Sequence, residues 1–125
     1  MIRPGTVMIV LAMVVHHAAA QLPTVDRAVV EGTISDLQQA MSSGRLTSVD
    51  LVRAHRARIA AYDQEGPTLN AMIRLNPNAE RDAAVLDRER RTGRVRGPLH
   101  GIPVVIKDNY DTFDMPTSAS SLALA

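Results

Sequence analysis

The sequence predicts an α/β chain. Two Thr-capped amphipathic segments sit near the front, and two short apolar stretches flank a third helical pattern in the second half. A helix between two such stretches is the layout of a βαβ unit, two parallel strands joined by a right-handed crossover. The bulk composition is that of a globular protein. The chain has 125 residues, 46% hydrophobic and 22% charged, which leaves room for one domain at most. Aromatic residues make up only 2%, so the expected core is built from Val, Ile, Leu, Met and Ala.

In chain order, the front opens with Arg3, the apolar run VMIVLAMVV over residues 7–15, and Ala18, Ala19 and Ala20. This three-part layout predicts a secretory signal peptide over residues 1–20, cut after Ala20. The run is too short for a transmembrane helix, which needs about 20 apolar residues, so no stable membrane anchor is expected. An uncleaved apolar helix or a misassigned start is the alternative. His16 and His17 fall in this leader and are read as incidental, not as a metal pair. Residues 21–32 are polar, contain Pro23, and read as an N-terminal tail or linker. The domain proper is expected over residues 33–125.

Thr33 followed by Asp36, and Thr47 followed by Asp50, each have the form of a capping box. The first helix is predicted over 33–42, stopping at Gly44, with Ile34, Leu37 and Met41 inward. The second runs from Thr47 to about Tyr62, with Val49, Val52 and Ile59 inward, joined by Leu51 and Tyr62. Arg53, Arg56 and Arg58 line its solvated side, and His55 lies at the apolar edge as a structural residue. After the break at Gly66 and Pro67, LNAMIRL over 69–75 alternates as a strand should. Asn76 and Pro77 predict the start of a third helix as N-cap and first helical residue. It continues to Thr92, ends at Gly93, and turns Ala79, Ala83 and Leu86 inward, with an Asp87–Arg91 pair on its surface. The second strand is predicted over 102–107.

Charge excludes some functions. Formal net charge is +1, and removal of residues 1–20 brings it to zero. Arg88, Arg90, Arg91, Arg94 and Arg96 cluster, but with no aromatic residues among them and no net positive charge, nucleic acid is not an expected partner. No cysteine is present, which rules out disulfides and thiolate metal sites.

The second strand ends at Lys107, the single lysine among fourteen basic residues. Alternation puts Val105 and Lys107 on one face and Val104 and Ile106 on the other. If both faces are covered, the amine is drawn from water, and a desolvated lysine can serve as a base near neutral pH. Arginine cannot do this. Ser118, Ser120 and Ser121 have no G-x-S-x-G elbow around them and read as turn or substrate-loop residues. Asp108, Asp111 and Asp114 do not match a calcium loop, which needs a Gly and a distal Glu, and no metal is expected.

Residues 99–109, LHGIPVVIKDN, followed by 115–121, MPTSASS, resemble the N-terminal signature of the amidase signature hydrolases. The resemblance covers roughly residues 33–125. It implies the N-terminal part of the amidase signature fold, a mixed β-sheet flanked by helices, incomplete in this chain. It also implies that Lys107 belongs to a Ser-cisSer-Lys triad whose two serines lie in a Gly/Ser-rich segment further downstream, which these 125 residues do not contain. A small-molecule amide is the implied substrate and no cofactor is needed; the predicted signal peptide, not the resemblance, makes the expected location secreted or periplasmic. A non-catalytic short product and the amidase subunit of a tRNA-dependent amidotransferase are the alternatives. The family usually has Gly where this chain has Ser120, which raises the question of what backbone geometry that position takes.

Overall fold

A computed structural model describes residues 25–124. The predicted leader and cleavage point lie outside them. Four α-helices follow one another: α1 Val25–Glu31, α2 Ile34–Ser42, α3 Ser48–Ile59 and α4 Ala79–Arg91, with a π-helical turn Ala60–Gln64 extending α3. α3 packs against both α1 and α4.

The caps form as the sequence dictates. Thr33 and Thr47 each accept the backbone N–H three residues on, and Asp36 and Asp50 each return a bond to the threonine N–H. Around α3 the accounting of end donors is complete. Asp50 N–H goes to Thr47 Oγ1 and Leu51 N–H to Thr47 O, while the N–H groups of Ser48 and Val49 both go to the carboxylate of Asp87 on α4. Asp87 is thus not the surface partner of Arg91 that the sequence suggests. It is 8% exposed and joins two helices.

The core consists of Leu37 and Met41 from α2, Leu46, Leu51 from α3, and Ala28 from α1, with Val25, Val29, Ala40 and Ile102 packed against it. The expected tail therefore contains a helix. Val25, Ala28 and Val29 are spaced i, i+3, i+4, and this seven-residue helix is held by tertiary burial, since a segment this short does not persist alone.

Two further boundaries differ. α4 begins at Ala79 instead of Pro77 because Asn76 Oδ1 takes the Asn78 N–H at 2.8 Å, making a separate turn ahead of the helix. The end of α3 changes its side-chain phase: the extra residue in the π turn swings Asp63 inward and leaves Tyr62 48% exposed, its ring under the Arg58 guanidinium at 5.3 Å. Tyr62 is not a core residue.

Neither predicted strand forms among the described residues. Residues 69–75 and 102–107 run without ladder bonds. Thr68 and Asn70 take positive φ values of 51° and 49°, so the first segment starts with a bend. Leu69, Ile73, Val104, Val105 and Ile106 are exposed. The alternating pattern is real, but a strand exists only by pairing, and a two-stranded pair is marginal by itself. The α/β expectation is met in its helices, while the described part is helical only.

Candidate functional site

The stretch that leads to Lys107 is fastened to the helices at its start. Residues 97–101 form a tight turn, with His100 N–H bonded to Gly97 O and Ile102 N–H to Leu99 O. Gly101 sits at φ +78°, and a Cβ there would run into the Ser48 Oγ beneath it, so this glycine is needed both for its backbone angle and for close approach. His100 is buried. Its Nδ1 accepts from Arg96 N–H at 3.3 Å and its Nε2 lies 3.0 Å from Leu86 O, a pattern that places the ring proton on Nε2. The His100 carbonyl accepts from Gln38 Nε2 at 3.0 Å and from an Arg90 terminal nitrogen at 2.8 Å, and the same Gln38 amide bonds Pro98 O at 2.8 Å. Gln38, Arg90 and His100 thus moor the turn to α2 and α4. Nothing in the local pattern pairs these three, because the contacts span 10 to 62 positions.

The basic cluster is dissolved by this packing. Arg90 turns inward, Arg96 pairs with Glu89 at 2.6 Å, and Arg94 adds a looser contact to the same carboxylate. The Arg96 hydrogen bond, working against partial burial and aided by the charges of Arg96 and Arg94, holds the Glu89 carboxyl below its usual range.

Beyond Pro103 the chain leaves the helical body and reaches Lys107. The lysine side chain is exposed and enters no ion pair among the described residues. The expected burial of this strand end on both faces is not seen here: Val105 is 76% exposed. Lys107 does line a cleft of about 620 Å³ whose walls are residues 71–74, residues 105–110 and the loop that follows. Two cations, Arg74 and Lys107, and one carboxylate, Asp108, belong to that lining.

Asp108 is already engaged. Its carboxylate accepts Ser118 Oγ–H at 2.5 Å, Ser118 N–H at 3.2 Å and Ser120 N–H at 3.4 Å, and its carbonyl accepts Ala119 N–H at 3.0 Å. The Ser118 hydroxyl first, then the Ser118 N–H, outweigh burial and hold this carboxyl below the ordinary aspartate value. Ser118 is therefore a buried loop anchor. Ala119 and Ser120 take φ values of +48° and +62°, so Ser120 does occupy the left-handed region that glycine favours. Asp114 accepts from Asn76 Nδ2 at 3.2 Å, and Asp108, Asp111 and Asp114 do not converge on one point.

The opposite wall is set by Asp63, which the sequence does not single out. It is 4% exposed and accepts the N–H groups of Ala71 at 2.6 Å and Met72 at 3.3 Å, and the Gln64 amide at 2.6 Å. Burial pushes its carboxyl upward, but the bonds from Ala71, Gln64 and Met72 together hold it lower than usual. The structure thus brings Lys107, Asp108, Thr117, Ala119 and Ser120 together at one cleft, while Ser118 and Ser121 contribute no wall to it.

Known proteins are similar to this chain in sequence and in fold. The profile of the Amidase family matches residues 50–125. The X-ray structure of native peptide amidase from Stenotrophomonas maltophilia is 55% identical, with a TM-score of 0.73 over 75% of this chain and 19% of its own. An amidase family protein from Bacillus anthracis is 41% identical, with a TM-score of 0.74 over 79% of this chain and 20% of its own. A glutamyl-tRNA(Gln) amidotransferase subunit of Chloroflexus aurantiacus is 43% identical over 94 residues, 74% of this chain and 19% of that protein. The chain spans about a fifth of the length of these relatives. A family profile covering more than half of the sequence, and two solved structures that share its course, make this chain a member of the amidase family.

Proposed function

We propose that this chain is the N-terminal portion of an exported amidase that hydrolyses a carboxylic amide C–N bond, with Lys107 as its catalytic base. The observation that carries the reading is the placement of the single lysine on the wall of the 620 Å³ cleft, at the end of a segment moored to α2 and α4. The base works as follows. Neutral Lys107 takes a proton from a bridging serine, which takes one from the nucleophilic serine as that oxygen attacks the amide carbonyl. The C–N bond breaks as the relay delivers one proton to the leaving ammonia or amine, and water then gives one proton to the same relay as it cleaves the acyl-enzyme, which restores the nucleophilic serine hydroxyl. Both serines belong to sequence beyond residue 125 on this reading, so the 125-residue polypeptide by itself turns nothing over.

The likeness to a peptide amidase makes peptide amides the first substrates to offer. Ammonia release by the protein from the gene that carries this chain is the assay. Lys107→Ala is expected to lower turnover by about 10³-fold or more, the scale seen when a triad member is removed. Undiminished turnover in that variant overturns the assignment of Lys107. A component of a tRNA-dependent amidotransferase is the second reading, favoured by the 43% identity to such a protein. Export separates the two: a mature protein beginning at Gln21 in the periplasm supports the hydrolase, and a cytoplasmic protein that retains Met1 supports the amidotransferase.

A further inference from the structure

We infer that Asp108 is a positioning residue, whose carboxylate holds the 118–120 turn and so fixes Ala119 and Ser120 in the wall of the Lys107 cleft. The inference rests on the reading of Lys107 as the base. Asp108 follows Lys107 directly in the chain, and its side chain reaches ten and twelve positions ahead, to Ser118 and to Ser120. One carboxylate oxygen takes the Ser118 N–H, and the other takes the Ser118 hydroxyl and the Ser120 N–H. The main-chain oxygen of Asp108 adds the Ala119 N–H. Four bonds from a single residue thus fix three successive residues of the turn.

The turn needs such a clamp. Ala119 and Ser120 both hold positive φ, a region that L residues with a Cβ occupy only where their surroundings impose it. Those same two residues line the cleft together with Lys107. The turn is also closed by Ser121 N–H on Ser118 O at 2.8 Å, while Thr117 Oγ1 to Tyr110 O and Thr112 Oγ1 to Met115 O start outside it; none of these three bonds takes the amides of residues 118–120, which Asp108 alone accepts. Because one residue sets both the end of the Lys107 segment and the turn facing the same cleft, a change at Asp108 shifts a substrate relative to the lysine amine. A misplacement of about 1 Å costs on the order of 10²-fold in rate.

The carboxylate acts here as a hydrogen-bond acceptor, and asparagine can stand in for most of it. Its oxygen accepts the Ser118 N–H, its amide donates to the Ser118 oxygen, and only the longest bond, to Ser120 N–H, is lost. The test compares Asp108→Ala, Asp108→Asn, Ser118→Ala and Lys107→Ala in the protein from the gene that carries this chain. Each is followed by kcat and KM on a peptide amide and by amide hydrogen exchange of the peptide covering 115–122. Asp108→Ala is expected to lower kcat about 10²-fold and to speed exchange in that peptide alone. Asp108→Asn is expected to restore both to within about three-fold of the parent, since its hydrogen bonds are neutral but nearly all present. An Asn variant as impaired as Ala overturns the inference, because the charge itself is then required. So does an Ala variant with unchanged kcat and exchange. If Asp108→Ala fails to fold, Ser118→Ala decides: faster exchange at 115–122 with a reduced kcat supports the clamp, and no change in either refutes it. Lys107→Ala separates the two readings. It leaves the exchange of the turn as it was, so full turnover in that variant defeats the base assignment while the exchange data still judge Asp108.

Discussion

Asp87 offers the sharpest test of how the helices are joined. As a surface residue paired with Arg91 it would contribute a few tenths of a kcal/mol. As the acceptor for the N–H groups of Ser48 and Val49, at 2.8 and 3.2 Å, it does far more. Ser48 is fully buried, so removing the acceptor strands a donor that water cannot reach, at a cost of about 1–3 kcal/mol. Val49 N–H is partly buried and adds up to about 1 kcal/mol. A negative charge at the N-terminus of α3 is worth a further 0.3–1 kcal/mol or so. Asp87→Ala should therefore cost about 2–4 kcal/mol, Asp87→Asn about half as much because one acceptor oxygen remains, and Arg91→Ala less than about 0.5 kcal/mol. Urea unfolding followed by far-UV circular dichroism reads all three. Equal, small losses for Asp87→Ala and Arg91→Ala would falsify the interhelical cap and restore the surface pair.

Other perturbations follow the same physics. Gly101→Ala combines a left-handed φ of +78°, worth about 1–2 kcal/mol, with a Cβ pressed into Ser48 Oγ. A loss of more than about 2 kcal/mol in thermal or urea unfolding is expected, and a neutral result would mean the turn can shift freely. Thr47→Ala should cost about 1 kcal/mol and Thr33→Ala less, since both cap helices but Thr33 is exposed; the order of the two urea midpoints checks this. His55 is held below its ordinary value of 6.5, first by burial and then by the Arg58 charge. The unfolded chain therefore binds its proton more readily than the folded one, so this contribution to stability is complete above about pH 6.5 and is lost as pH falls through the lowered value. His55→Gln should flatten that part of the pH–stability curve, and an imidazole titration at or above 6.5 would contradict it.

What the sequence discloses about this protein depends on range. The capping boxes at Thr33 and Thr47 and the helix ends at Gly44 and Gly93 are legible because each is decided within four residues. Asp87, Asp63 and the Gln38–Arg90–His100 mooring are not, because their partners lie 8 to 62 positions away and an acidic residue on a helix looks alike whether it faces water or a neighbour's N-terminus. Helix α1 is concealed for another reason. Val25, Ala28 and Val29 have the right spacing, but seven residues are too few for periodicity to outweigh a nearby proline. Lys107 stands out by its motif and by its solitude in the composition, whereas the cleft it lines is made by Asp63 and Asp108 acting on loops that no period describes.

The change in cover along residues 102–107 ties folding to chemistry. Ile102 packs on the core, yet two residues later Val104 is 62% exposed, and Val105 and Ile106 are exposed as well. Burying each of these three side chains is worth about 1.5–3 kcal/mol. If the segment is extended as a strand, their alternation requires layers on both faces to do it, and Lys107 then shares a face with Val105. On the proposed reading, the elements that cover Val105 also draw the lysine amine out of water, which is the condition under which it serves as a base. Stability and activation then come from a single packing event. The helices described here do the prior work: they fix where the segment starts, at the Gly101 turn, and Asp108 fixes what stands beside its end.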